Sequence, residues 1–155
     1  MTADEILYKL AARCSVSEQC LSDIEAKLSR YDLTEEERTH ILRHLVEEEY
    51  IDDQRYAEAY VKDKYRFNKW GRIKISQGLR MKGIDNETIK SAMEAIDEEE
   101  YLGILRDLIK AKRKSTRGAS EYEINGKLIR FATGRGFEFA AIRECLNVTE
   151  RDEMD

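Results

Sequence analysis

Nine cationic side chains stand between Arg55 and Lys82: Arg55, Lys62, Lys64, Arg66, Lys69, Arg72, Lys74, Arg80 and Lys82. Only Glu58 and Asp63 oppose them in that span. The flanks are acidic, with Glu35-Glu36-Glu37 and Glu47-Glu48-Glu49 before and Asp97-Glu98-Glu99-Glu100 after. A chain of 155 residues and formal net charge −5 has therefore gathered positive charge in one place. Arginine makes bidentate contacts to carboxylate or phosphate, and lysine supplies a mobile point charge. The chemistry on offer is non-covalent recognition of a polyanion or of an acidic protein surface. The alternative is a solvated helical face whose cations pair with neighbouring repeats. A second run, Lys110 to Arg117, adds five cations and no acid. Its Lys112, Arg113, Lys114 and Arg117 either extend the positive track or offset the dipole at a helix C-terminus.

Trp70, the only tryptophan, sits in a basic connector, Asn68-Lys69-Trp70-Gly71. It either stacks on a base or anchors an interface, or it packs between the helices on either side. Asp52 and Asp53 stand where a helix begins and read as N-cap carboxylates. Arg55, one turn on, is placed to brace against Glu47-Glu48-Glu49. His40 and His44 share the i, i+4 spacing that can hold a metal with Glu36 or Glu47, but no HExxH pattern and no convergent cysteine accompanies them. They read as a solvated helix face. Cys14, Cys20 and Cys145 show no CxxC spacing and read as small hydrophobes. No GxxxxGK[ST] loop or nucleophile–base constellation is present, so no catalytic residue, cofactor or metal is expected. No apolar run approaches the roughly 20 residues of a membrane span, and no signal-peptide core is visible, so a cytoplasmic protein is expected.

These side chains must be positioned by helices. The chain contains no proline and eight glycines, a composition an all-helical protein tolerates. It also repeats. Leu28, Leu79 and Ala132 align, with Ile24, Ile75 and Leu128 four residues earlier. Leu33, Ile84 and Phe137 follow five residues later, and Leu42, Met93 and Leu146 fourteen later. Asp32, Gly83 and Gly136 precede the third set, where a left-handed residue would end a helix. Each copy reads as three helices: 3–14, 17–31 and 35–49; 53–67, 71–82 and 86–97; 99–115, 120–133 and 138–148. Their first helices show apolar faces at Ile6, Leu7, Leu10; Tyr56, Tyr60, Val61; and Leu102, Leu105, Ile109. Ser15-Val16-Ser17-Glu18, Thr34-Glu35-Glu36-Glu37 and Ser120-Glu121-Tyr122-Glu123 have the form of capping boxes. The expected fold is all-α: three tandem three-helix repeats, 1–50, 51–97 and 98–149, stacked as an elongated, curved, solenoid-like rod, with an acidic frayed tail at 150–155.

Tyr50-Ile51-Asp52-Asp53-Gln54-Arg55-Tyr56-Ala57-Glu58-Ala59-Tyr60 resembles the hallmark of the RecX family, regulators of the RecA recombinase. The likeness continues through Gly71-Arg72-Ile73, through Leu79-Arg80-Met81-Lys82-Gly83-Ile84, and into Gly134-Arg135-Gly136-Phe137 with Ile142-Arg143. A proline common in the family near the glycine before the fifth helix is replaced here by Trp70-Gly71-Arg72. The resemblance implies a non-enzymatic, monomeric modulator that lies in the groove of the RecA–DNA filament. There it would restrain ATP hydrolysis, strand exchange and repressor cleavage; because the whole chain is acidic, at most weak contact to single- or double-stranded DNA is expected. The residues expected at that contact are Lys62, Lys64, Arg66, Lys69, Trp70, Arg72, Lys74, Arg80 and Lys82, extended by Lys112, Arg113, Lys114 and Arg117. Asp52, Asp53, Arg55, Tyr56, Ala57, Gly71, Gly83 and Gly136 are expected to form the structural motif. The acidic third helices of the first two repeats (Glu35-Glu36-Glu37, Asp85, Glu87, Glu94) argue against a sequence-specific DNA reader. A helical scaffold bridging other proteins is the remaining alternative.

Overall fold

The computed structural model of the chain describes the backbone of residues 1–154 and the side chains of residues 1–147. Among them are nine α-helices and no strand. The first trio is α1 (Ala3–Val16), α2 (Leu21–Leu28) and α3 (Glu35–Glu47). The second is α4 (Asp53–Arg66), α5 (Arg72–Met81) and α6 (Asn86–Met93). The third is α7 (Glu98–Ser115), α8 (Glu121–Gly134) and α9 (Phe139–Met154). The all-α, threefold reading of the sequence therefore holds. The helix of α9 runs past the expected end at residue 148. The side chains of the acidic tail, and Asp155 altogether, lie outside the described residues.

The chain divides into two compact units, one of residues 1–59 and 79–92, the other of residues 60–78 and 93–155. The middle trio is shared: the end of α4 and most of α5 belong with the third trio, and α6 belongs with the first. The first unit is built on Ile6, Leu10, Ile24, Leu28, Ile41 and Leu45, all at most 3% exposed. The second is built on larger side chains. Tyr101 lies edge-on to Tyr65 at 6.3 Å between ring centroids and tilted to Phe137 at 5.3 Å. All three rings are buried, each contributing about 1.5–3 kcal/mol of apolar burial.

Two of the four aligned sets are buried throughout, while Leu33, Leu42 and Met93 in the other two are only half-buried. Ile24, Ile75 and Leu128 are buried, as are Leu28, Leu79 and Ala132. The buried face of each first helix is an i, i+4, i+8 line: Ile6, Leu10, Cys14; Ala57, Val61, Tyr65; Tyr101, Leu105, Ile109. In α4 and α7 the expected Val61, Leu105 and Ile109 are buried, but the first residue of the line differs from the expected one. Tyr56 and Leu102 are only half-buried, and Ala57 and Tyr101 take the core.

Helix ends corrected two further expectations. Gly83 (φ 77°) and Gly136 (φ 92°) are left-handed and close α5 and α8. There the Ile84 and Phe137 N–H groups donate to the Leu79 and Ala132 carbonyls. Asp32 is not left-handed. Without a glycine, α2 ends by bonds from Arg30 to Lys27 and from Tyr31 to Leu28. The box expected at Ser15–Glu18 is also absent. The Ser15 hydroxyl donates to the Ala11 carbonyl, α1 continues to Val16, and α2 begins later, after Cys20. Thr34 and Glu37 do form a reciprocal box, at 3.0 and 3.1 Å. Ser120 caps α8 through the Glu123 N–H, while the Glu123 carboxylate accepts from Ala119.

Candidate functional site

In the second unit the loop before α5 crosses the turn between α8 and α9 backbone to backbone. The Gly71 N–H donates to the Arg135 carbonyl at 2.8 Å, and the Ile73 N–H donates to that of Gly136 at 2.9 Å. A Cβ on Gly71 would stand 2.3 Å from the Gly136 carbonyl, and one on Gly136 would stand 2.3 Å from the Lys74 Cβ. Gly71 stands directly before α5, its carbonyl accepting from the Ile75 N–H at 3.1 Å, and its missing side chain admits another backbone. The Tyr101 hydroxyl completes the junction, accepting from the Arg72 N–H at 3.0 Å and donating to Glu138. Burial, then the Glu138 acceptor, pushes the Tyr101 phenol far above its ordinary range.

Arg72 is consumed by this junction. Its guanidinium pairs with Glu138 at 2.9 Å, pairs also with Glu98, and lies 4.1 Å above the Tyr101 ring. The side chain is only 25% exposed. Burial alone would lower its pKa, but the two carboxylates outweigh that and raise it. Arg66 is likewise tied to Glu100 at 2.5 Å, which holds the Glu100 carboxyl below its usual range.

The lysines of the same segment are spent differently. Lys64 Nζ lies 4.9 Å from the Trp70 ring centroid and 5.2 Å from that of Tyr60, and Lys74 Nζ lies 4.5 Å from Trp70. Trp70 is half-buried, its backbone N–H donates to the Lys64 carbonyl at 3.0 Å, and its ring carries the two cations. The two ammonium groups are less than about 10 Å apart, within one Debye length at ordinary salt. Neither makes an ion pair among the described residues. Each cation–π contact offers about 0.5–1 kcal/mol, and a shared anion would gain from both charges. Lys62 and Lys69 are exposed, Lys69 with a left-handed backbone (φ 57°). Exposed Phe67 and Ile73 flank the cluster in sequence.

In the first unit the hallmark residues hold loops together. The Asp52 carboxylate caps α4 through the Arg55 N–H at 3.1 Å. Asp53 does not cap its own helix; it accepts from the Leu21 N–H at 3.0 Å, at the start of α2. Arg55 pairs with Glu18 at 2.7 Å, a partnership that raises its pKa, and donates to the Glu49 and Tyr50 carbonyls. The expected bracing of Arg55 against the acidic run is corrected: it uses that segment's carbonyls, and its carboxylate partner is Glu18. Lys82 pairs with Asp23 at 2.8 Å and its carbonyl accepts from Ser22 at 2.6 Å. Burial would raise the Asp23 carboxyl, but Lys82 overrides it and holds it below the usual range. Arg80 is exposed and donates to Asn86 at 3.3 Å.

In the second basic run, Arg113 is 9% exposed and pairs with Glu121 at 3.3 Å and with Asn125 at 3.2 Å. Lys112 lies over Phe131 at 5.2 Å, and Lys114 and Arg117 are exposed. Lys112, Arg113 and Lys114 occupy the last turn of α7. No group of three His, Cys, Asp or Glu side chains that could hold a metal occurs among the described residues, and no helix there is long and apolar enough to cross a membrane. Sequence reasoning missed Glu18, Glu98, Tyr101 and Glu138. The last three lie far from Arg72 in sequence, and the repeat alignment alone could have pointed to them.

Fold and junctions together define a tandem three-helix protein whose glycine turns in the third trio receive the start of a helix in the second. Residues 52–93 match the family model described as the second three-helix domain of RecX, and residues 98–146 match that of the third. The chain belongs to the RecX family. The regulatory protein RecX of Clostridium acetobutylicum is 31% identical over 150 residues, covering 92% of this chain and 69% of that protein. That of Neisseria meningitidis serogroup C is 31% identical over 123 residues, covering 79% and 76%. A crystal structure of a regulatory protein RecX aligns with a TM-score of 0.82 at 26% identity, covering 94% of this chain and 73% of that one. The crystal structure of RecX from Lactobacillus salivarius aligns with a TM-score of 0.85 over 96% of both chains; at 21% identity it bears on the fold alone.

Proposed function

We propose that this chain is a regulator of a cytoplasmic RecA recombinase, acting as a monomer without chemistry of its own in recombination, repair and the SOS response. It lies in the groove of the RecA–DNA filament and restrains ATP hydrolysis, strand exchange and repressor cleavage. Membership of the RecX family across residues 52–146 is the observation that carries this reading. The cations that remain for a partner are Lys64 and Lys74 against Trp70, the exposed Lys62 and Lys69, and Arg80, Lys112, Lys114 and Arg117. Arg66, Arg72, Lys82 and Arg113 already engage the chain's own carboxylates, so their charge contributes less. Any direct DNA contact is weak and falls steeply with salt, because it rests on phosphate neutralisation.

Titrating the chain against the cognate recombinase on single-stranded DNA tests the reading. ATP hydrolysis is expected to slow at or below equimolar amounts, and an unchanged rate across that range overturns it. Lys64→Glu with Lys74→Glu is expected to weaken filament binding by about tenfold or more while leaving far-UV circular dichroism unchanged. Normal binding by the folded double variant moves the contact elsewhere.

A further inference from the structure

The first trio holds a charged cluster that filament binding by the middle trio does not use. A cleft of about 230 Å³ is lined by Lys9, Leu10, Arg13, Lys27, Arg30 and Tyr31. Four of these six are cations and none is an acid. Lys9 and Arg13 are one turn apart on one face of α1; Lys27 lies in the last turn of α2 and Arg30 just beyond it. None of the four makes an ion pair among the described residues. Lys27 donates instead to the amide oxygen of Gln19 at 2.6 Å, and the Gln19 amide donates to the Ser17 hydroxyl at 3.0 Å. Gln19 is buried, at 8% exposure. A neutral buried amide thus fixes the ammonium at the cleft wall without cancelling its charge.

Cations near helix C-termini ordinarily answer the helix dipole. Here that accounts for little. Two helix ends carry about −0.5 charge each, so roughly one of four positive charges is offset. The remainder repel one another around a concavity, and a bound polyanion relieves that repulsion. Two guanidinium groups can take phosphate oxygens bidentately while the lysines neutralise the charge that is left. Tyr31, half-buried, sets a ring and a phenol at the edge. We infer that this cleft is a phosphate site that takes the phosphates of a nucleotide, either free or as part of a single strand.

The test uses the full chain at low salt, with inorganic tripolyphosphate, ATP and a short oligothymidylate titrated separately by calorimetry. Tripolyphosphate and ATP are expected to bind, and Arg13→Gln with Arg30→Gln to weaken both by about tenfold or more. Arg43→Gln with Lys90→Gln makes the same charge change at exposed positions away from the cleft, and is expected to stay within about twofold. Amide resonances of residues 9–13 and 27–31 are expected to shift on titration. If only the oligothymidylate binds, with the same loss in the Arg13/Arg30 variant, the single strand is the source of the phosphate and the site stands. Absence of binding by all three, or equal losses in the two double variants with circular dichroism intact, overturns it.

Discussion

At the scale of single residues, glycines separate two kinds of constraint. Gly83 is left-handed with open space around it, its nearest would-be contact being Ser22 Cβ at 3.9 Å. Gly136 is left-handed and also pressed against the Lys74 backbone. Gly83→Ala is therefore expected to cost about 1–2 kcal/mol and Gly136→Ala more than about 3 kcal/mol, read from urea unfolding. Equal losses would mean that only the dihedral matters. The left-handed glycines were legible in the sequence; the close approach was not, because a missing Cβ leaves no trace in spacing. Asp23 gives a pH prediction. Its folded-state pKa is depressed by Lys82, so its stabilisation is full above the unfolded carboxyl pKa and vanishes as pH falls through the lower folded value. Asp23→Asn is expected to flatten the fall of stability with acid below about pH 4. An unchanged acid slope would show that the Asp23–Lys82 pair contributes nothing.

At the scale of elements, the repeat was legible because each trio buries homologous apolar positions, and core spacing is what a sequence displays. Which residue opens the buried line of α4 and α7 was hidden. Tyr56 and Tyr60 look like core residues by type, yet both are only half-buried while Ala57, Val61 and Tyr65 form the buried line. Tether partners were hidden as well, since polar side chains at helix starts look alike. Asp52 and Asp53 illustrate this: adjacent carboxylates, of which one caps α4 and the other reaches the first N–H of α2. Each substitution to alanine is expected to cost about 1–2 kcal/mol. Their consequences differ. Asp52→Ala should raise hydrogen exchange in the first turn of α4, and Asp53→Ala at residues 21–24. Exchange changes confined to α4 in both variants would show that Asp53 acts only on its own helix.

At the scale of the whole chain, the three repeats of the sequence and the two compact units of the structure do not coincide, and the difference has a physical origin. The first trio leaves groups that only later residues complete. Leu21 donates to Asp53, Ser22 donates to the Lys82 carbonyl, Asp23 pairs with Lys82, and Glu18 pairs with Arg55. A fragment of about 50 residues also buries too small a share of its surface to be stable alone. Residues 1–50 are therefore expected to show well under half the per-residue helicity of the full chain and to melt without a cooperative transition, whereas residues 1–97 retain a cooperative melt. The mechanism predicts more than marginal stability for the longer piece. It restores the Lys82 carbonyl and both Asp53 and Arg55, giving half-buried donors and carboxylates their partners, each worth about 0.5–1.5 kcal/mol. Cooperative, native-like melting of residues 1–50 would make the trio, and not the compact unit, the element that folds.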